Sequence, residues 1–127
     1  MTGMIVLCEL SLLKEHEQIV QERLEGLVGK IRRAGAFNSA IVADEVSFVI
    51  LDGHHRFNAA KKLNLRFVPV NLVDYSSERI TVRPRRNFPV SKELVVQAGL
   101  SGRKFPPKTT KHGLRLVKTI FSLRELQ

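Results

Sequence analysis

Phe48-Val49-Ile50-Leu51-Asp52-Gly53-His54-His55-Arg56-Phe57-Asn58-Ala59-Ala60-Lys61-Lys62-Leu63 is the stretch around which the chain is organised. Four apolar residues run into Asp-Gly, which predicts a buried strand ending in a turn. The residues after Gly53 predict a helix that stops at Leu63, before Asn64. The polar cluster Asp52 to Arg56 therefore falls where a strand ends and a helix begins. Amides at a helix start lack intrahelical acceptors and carry the positive end of the dipole, a combination suited to phosphate. Gly53 lets the backbone approach closely, Arg56 can fork two bonds to phosphate oxygens, and Asp52 adds a carboxylate beside them. Asp-Gly alone is a common turn, but two histidines and an arginine at one helix start have little structural use.

Outward from this stretch, Ile5–Leu10 predicts a first strand and Ser11–Glu17 a polar connection. Leu24, Leu27, Val28 and Ile31 recur at helical spacing, with Gly35 as the stop. Gly26 and Gly29 weaken that helix, and close packing on a sheet would be a reason to keep them. Ile41–Ala43 and Ser47–Leu51 read as a hairpin turning at Asp44-Glu45. Phe67–Val73 is a further strand that Pro69 places at an edge or irregularity. Beyond it come a strand over Glu78–Arg83, a basic loop over Pro84–Pro89, and a short helix over Lys92–Ala98. Ser91 would cap that helix, Val90 would staple against Val95, and Gly99 would close it. Ser101–Gly113 reads as a loop, and Leu114–Leu123 alternates around Leu116 as a strand with a helical turn at its end.

The 127 residues amount to one ordinary domain, with 43% hydrophobic content and no apolar run of membrane-spanning length. Met4–Cys8 is too short for a signal-peptide core, so the cytoplasm is the expected compartment. The single Cys8 lies in the first predicted strand and reads as a buried structural thiol. No Cys or His set has zinc spacing, and neither a Walker loop nor a protein-kinase signature is present. A net charge of +9, concentrated after Arg79, points to anionic partners, nucleotide or nucleic acid, and reads equally as a solvated basic face.

Two other groups could carry chemistry. His16 and Glu17 lie in the connection before the first helix, where a carboxylate could serve as general base or anchor a metal-bound water. Farther on, Phe105-Pro106-Pro107-Lys108-Thr109-Thr110-Lys111-His112 places donors after a stiff Pro-Pro approach, an array able to hold a carboxylate or phosphate.

The order of these pieces resembles the ParB/sulfiredoxin superfamily, over roughly residues 5–73. Asp52-Gly53-His54-His55-Arg56 followed downstream by Phe105 to His112 is similar, more narrowly, to the free L-serine kinase family called SerK. The resemblance implies one α+β domain over 1–127, with a core at 5–73 and a basic extension at 74–127 that bears the substrate motif. It implies a small mixed sheet of five or six strands with about three helices. It also implies phosphoryl transfer from ADP or ATP, with Mg2+, to the hydroxyl of free L-serine or threonine, giving the O-phospho amino acid. Carried over by position, Glu17 is the base, with Glu15 as the other candidate, and Asp52 places Mg2+ or the reacting hydroxyl. Gly53, His54, His55 and Arg56 hold phosphates; Lys108, Thr110 and His112 bind the amino acid. The chain departs from the family in having only Asp74–Ser101 between the two motifs, so the site is expected to be more open or completed by a second copy. A ParB-type module binding nucleic acid or nucleotide without kinase activity is the other expectation. Sulfiredoxin chemistry needs a cysteine where His54 stands.

Overall fold

The computed structural model describes residues 4–115 and 117–127. Strands β1 (Met4–Glu9), β3 (Ile41–Asp44), β4 (Ile50–Asp52) and β5 (Phe67–Val73) form a four-stranded sheet in the order β1-β5-β3-β4. β3 and β5 are parallel and the other neighbours antiparallel, so the sheet is mixed. Two ribbons accompany it: β2 (Ala36–Ser39) with β8 (Lys118–Ser122), and β6 (Thr81–Pro84) with β7 (Thr110–Gly113). Helices α1 (Gln21–Ala34), α2 (His54–Lys62) and α3 (Lys92–Ser101) complete the α+β fold, with single 3-10 turns at Leu10–Leu12 and Leu123–Leu126. Among the described residues, eight strands in three sheets replace the expected five or six in one.

The central sheet is buried on both faces, which is why β3 reads as a continuous apolar run rather than an alternation. Ile41, Ala43 and Ile50 join Leu24, Ile31, Phe57 and Ala60 in a core beneath α1 and α2. Val42, Val49 and Leu51 join Tyr75, Ile80 and Val95 in a second core beneath α3. Residues after Asp74 serve both. Val95 fills the second, while Leu126 returns to the first behind β8. Cys8 is buried in the first core, as a structural thiol should be.

Several boundaries move for identifiable reasons. β4 starts at Ile50, not Ser47, because the Asp44 carboxylate accepts from the Val46 and Ser47 amides and the Ser47 hydroxyl, and Phe48 sits at φ 63°. β6 starts at Thr81 because Asp74–Ile80 is taken up by turns, with Ser77 N–H donating to Asp74 and Ile80 N–H to Ser77. Ser91 caps α3 as expected, but the helix runs through Gly99 to the left-handed Gly102. Gly99 answers a packing need instead: a Cβ there would lie 2.5 Å from a Val49 methyl. The reverse holds in α1, where a Cβ at Gly26 would meet nothing within 4 Å and one at Gly29 would meet the Arg33 guanidinium, so neither glycine serves sheet packing. β5 is interior, and Pro69, opposite Leu7, comes just before the ladder to β3 begins at Val70. The expected loop over Ser101–Gly113 contains β7, and the expected strand over Leu114–Leu123 begins at Lys118; Leu116 lies outside the described residues.

Candidate active site

Three segments far apart in sequence meet at the end of β4. The connection Lys14–Gln18 is extended and zipped on both sides. Ile50 N–H donates to Lys14, and Lys14 N–H to Phe48, while Phe105 N–H donates to His16 and Gln18 N–H to Phe105. Each of these bonds is 2.8–3.0 Å long. A stretch that reads as a polar loop is thereby held as firmly as a strand, between the β4 edge and the Phe-Pro-Pro segment. Glu15 and Glu17, two residues apart on this segment, reach different partners.

Glu15 faces inward and is fully engaged. Its carboxylate accepts from Asn58 at 2.7 Å and pairs with Lys61 at 3.5 Å and Lys104 at 3.4 Å. Glu17 lines the cleft. One of its oxygens, Oε1, accepts from the Thr110 amide at 2.9 Å and hydroxyl at 2.7 Å; Oε2 accepts from the Lys108 amide at 3.2 Å. Between the two expected candidates for base, Glu17 is the one that opens to a ligand, and it is held by neutral donors.

The two histidines of the turn position that segment. His54 Nε2 accepts the His16 N–H at 3.2 Å, and His55 Nε2 accepts the N–H of Val20, the residue before α1, at 3.0 Å, so the pair brackets Glu17. Accepting through Nε2 requires a neutral ring protonated on Nδ1. Burial pushes both below the ordinary histidine range, deeply for His54, helped there by His16 and His112 and at His55 by Arg23. His112 is pushed down to about 3 by burial and by His16, and its Nε2 lies 2.8 Å from the Tyr75 hydroxyl. His54 and His55 therefore act as uncharged clamps on the Glu17 segment, and His112 can offer a ligand a dipole but no charge.

Asp52, Gly53, His54, His55, Lys108, Thr110 and His112 join Glu17 around a cleft of about 390 Å3. Gly53 takes φ 108° as the residue before α2, a conformation that favours glycine, and a Cβ there would lie 3.0 Å from Ile41. Arg56 is not among the lining residues. Its guanidinium passes behind the turn to the Ala40 carbonyl at 3.2 Å and the Asp52 carboxylate at 3.1 Å. Two cations outside the motifs, Arg23 and Arg85, line the cleft instead, together with Lys111 of the donor array. Lys111 was visible between Thr110 and His112. Arg23 and Arg85 belong to a helix and a ribbon whose approach to the turn is tertiary.

Among the described residues, no group of three or more His, Cys, Asp or Glu gathers as a metal site. Asp52 alone offers a half-exposed carboxylate beside the α2 start. That suits a magnesium ion carried in by phosphates, which takes one or two carboxylates and keeps its waters. No helix among the described residues is long and apolar enough to cross a membrane.

The family model of the ParB N-terminal domain matches residues 7–84, more than half of the chain. The chain belongs to the ParB N-terminal domain family. The chain is 37% identical over 82 residues to an ATP-dependent L-serine kinase of Desulfurococcus mucosus, covering 61% of this chain and 32% of the relative. It is 36% identical over 81 residues to the ADP-dependent L-serine kinase SerK of Thermococcus kodakarensis, covering 61% and 34%. The matched region thus spans about a third of these relatives. A free serine kinase solved in complex with AMP superposes on the ParB-type fold seen here with a TM-score of 0.86 at 18% identity, over 100% of this chain and 95% of that one.

Proposed function

We propose that the chain is a nucleotide-dependent kinase acting on the hydroxyl of free L-serine, working as one unit over residues 1–127. The observation that carries this is the placement of Glu17, open to a cleft whose other walls are a helix start and a cationic rim. Phosphoryl transfer asks for positioning and charge neutralisation more than covalent chemistry. In this reading the amides that begin α2 receive donor phosphates, and Arg23, Arg85 and Lys111 neutralise them. Asp52 would hold the magnesium ion, whose contribution is to neutralise phosphate oxygens. Lys108 and His112 face the amino acid, and the Thr110 hydroxyl is directed to Glu17. The serine oxygen bonds to the terminal phosphorus, the bond to the departing nucleotide breaks, and Glu17 takes the hydroxyl proton. The names of the relatives support both ADP and ATP as donor.

Purified protein incubated with magnesium, L-serine and either ADP or ATP should give O-phosphoserine by mass spectrometry, and threonine in place of serine tests how open the site is. Glu17→Gln should lower the rate by about 10²–10⁴. No product with either nucleotide would sink the kinase reading. The net charge of +9 supports a second reading, binding of nucleic acid through the basic surface. Duplex DNA that stays bound at physiological salt, with no phosphoserine formed, would favour it.

A further inference from the structure

His16 is fully buried and has no place in the mechanism above, yet it lies one hydrogen bond from the atom that holds the base. Its Nδ1 is 2.6 Å from the Ile50 carbonyl, which can only accept, so Nδ1 carries the proton. The groups around the ring are His54 edge-on at 4.5 Å, His112 at 5.7 Å, Phe105 at 6.1 Å, Thr110 and Glu17. Burial keeps the ring neutral, against the opposing pull of the Ile50 carbonyl and the Glu17 carboxylate. Nε2 is therefore a bare acceptor, 3.0 Å from the Thr110 hydroxyl oxygen. That same hydroxyl lies 2.7 Å from Glu17 Oε1. One hydroxyl proton faces two acceptors.

We propose that the Thr110 hydroxyl is a two-position rotor between Glu17 and His16, and that His16 is the positioning residue that lets Glu17 accept a proton. With Glu17 as carboxylate, Thr110 donates to it. Once Glu17 has taken a proton it is a weaker acceptor, and the hydroxyl turns to His16 Nε2. A buried donor is thus satisfied in both states, and proton uptake leaves no unpaired group behind. The substrate proton ends on Glu17; no other bond is made or broken. The catalytic consequence rests on the kinase reading, whereas the rotor itself does not.

The test has two arms. In the first, the His16 ring is followed by 15N NMR in ligand-free protein, which needs no turnover. Glu17→Gln mimics the protonated base, so Nε2 should move toward the value of a hydrogen-bonded acceptor. Thr110→Val removes a donor that already faces Glu17, so it should leave Nε2 near its parent value and, added to Glu17→Gln, abolish the shift. An Nε2 signal indifferent to Glu17→Gln, or one that still shifts when Thr110→Val is added, overturns the rotor whether or not the protein is a kinase. In the second arm, His16→Asn keeps a donor for the Ile50 carbonyl but lacks the Nε2 acceptor. Phosphoserine formation should fall about tenfold in kcat, the equivalent of one lost hydrogen bond, with the nucleotide KM unchanged. In a Thr110→Val background, His16→Asn should have no further effect. A His16→Asn protein with wild-type kcat, or one whose loss appears in KM, overturns the catalytic part.

Discussion

The buried histidines make this fold sensitive to mild acid, by an amount that follows from their surroundings. His54 and His112 are neutral in the folded protein, the first held well below the ordinary range by burial and by its histidine neighbours, the second at about 3. In the unfolded chain each titrates near its ordinary value of about 6.5. Below that value the unfolded state binds protons that the folded state does not, so stability is complete above it and falls as pH drops toward the folded values. Between pH 7.5 and 5.5 each such ring removes about 1.4 kcal/mol, and the two together about 2.7 kcal/mol. His16 and His55, displaced in the same direction, add to this. With a urea slope of about 1.5 kcal/mol per molar, the unfolding midpoint should drop by about 2 M. Few carboxylates titrate in that window, which isolates the histidines. His54→Gln, whose amide oxygen can still accept the His16 N–H, should remove about 1.4 kcal/mol of that pH dependence. A midpoint unchanged from pH 7.5 to 5.5, or a His54→Gln protein as pH-sensitive as the parent, would refute the assignment of these rings as neutral.

Gly99→Ala should destabilise the protein by about 1–3 kcal/mol in urea, because its methyl would press on Val49; adding Val49→Ala should recover part of that loss. Arg23→Gln and Arg85→Gln should each weaken nucleotide binding about tenfold by calorimetry at low salt, and less as salt rises. Arg56→Gln should chiefly lower the unfolding midpoint, since its partners are Asp52 and the Ala40 carbonyl. Ser91→Ala should cost about 1 kcal/mol, as the Ser91 hydroxyl accepts the Leu94 amide.

What could be read from sequence was what local chemistry dictates. The strand, turn and helix around Asp52–Arg56, the Gly35 stop and the Ser91 cap are all decided by neighbours within four residues, and all stand in the structure. The motif residues of the cleft were legible for the same reason. The role of Arg56 was not, because its partner Ala40 arrives through tertiary packing. Nor was the order of Lys14–Gln18, whose hydrogen bonds go to Phe48, Ile50 and Phe105. Gly99 shows the same limit in reverse: a glycine near a helix end looks like a stop until Val49 is seen against it. The resemblance implies that His54 and His55 hold phosphates, whereas in the structure their Nε2 atoms face the backbone of another segment.

The contrast between Glu15 and Glu17 bears on how, in the kinase reading, a base would sit beside so many cations. Both carboxylates ride on one extended segment, two residues apart, in a chain of net charge +9. Glu15, largely covered itself, pairs with the exposed Lys61 and Lys104. Glu17 meets two amides and a hydroxyl instead, and the rings nearest its segment are histidines that burial keeps uncharged. Positive charge is thereby displaced to Arg23, Arg85, Lys108 and Lys111 around the cleft, where phosphate oxygens would neutralise it. Replacing any of the inner histidines by lysine or arginine would bring that charge to the base itself. Uncharged clamps inside and cations at the rim are what phosphoryl transfer to a neutral hydroxyl requires of one small cleft.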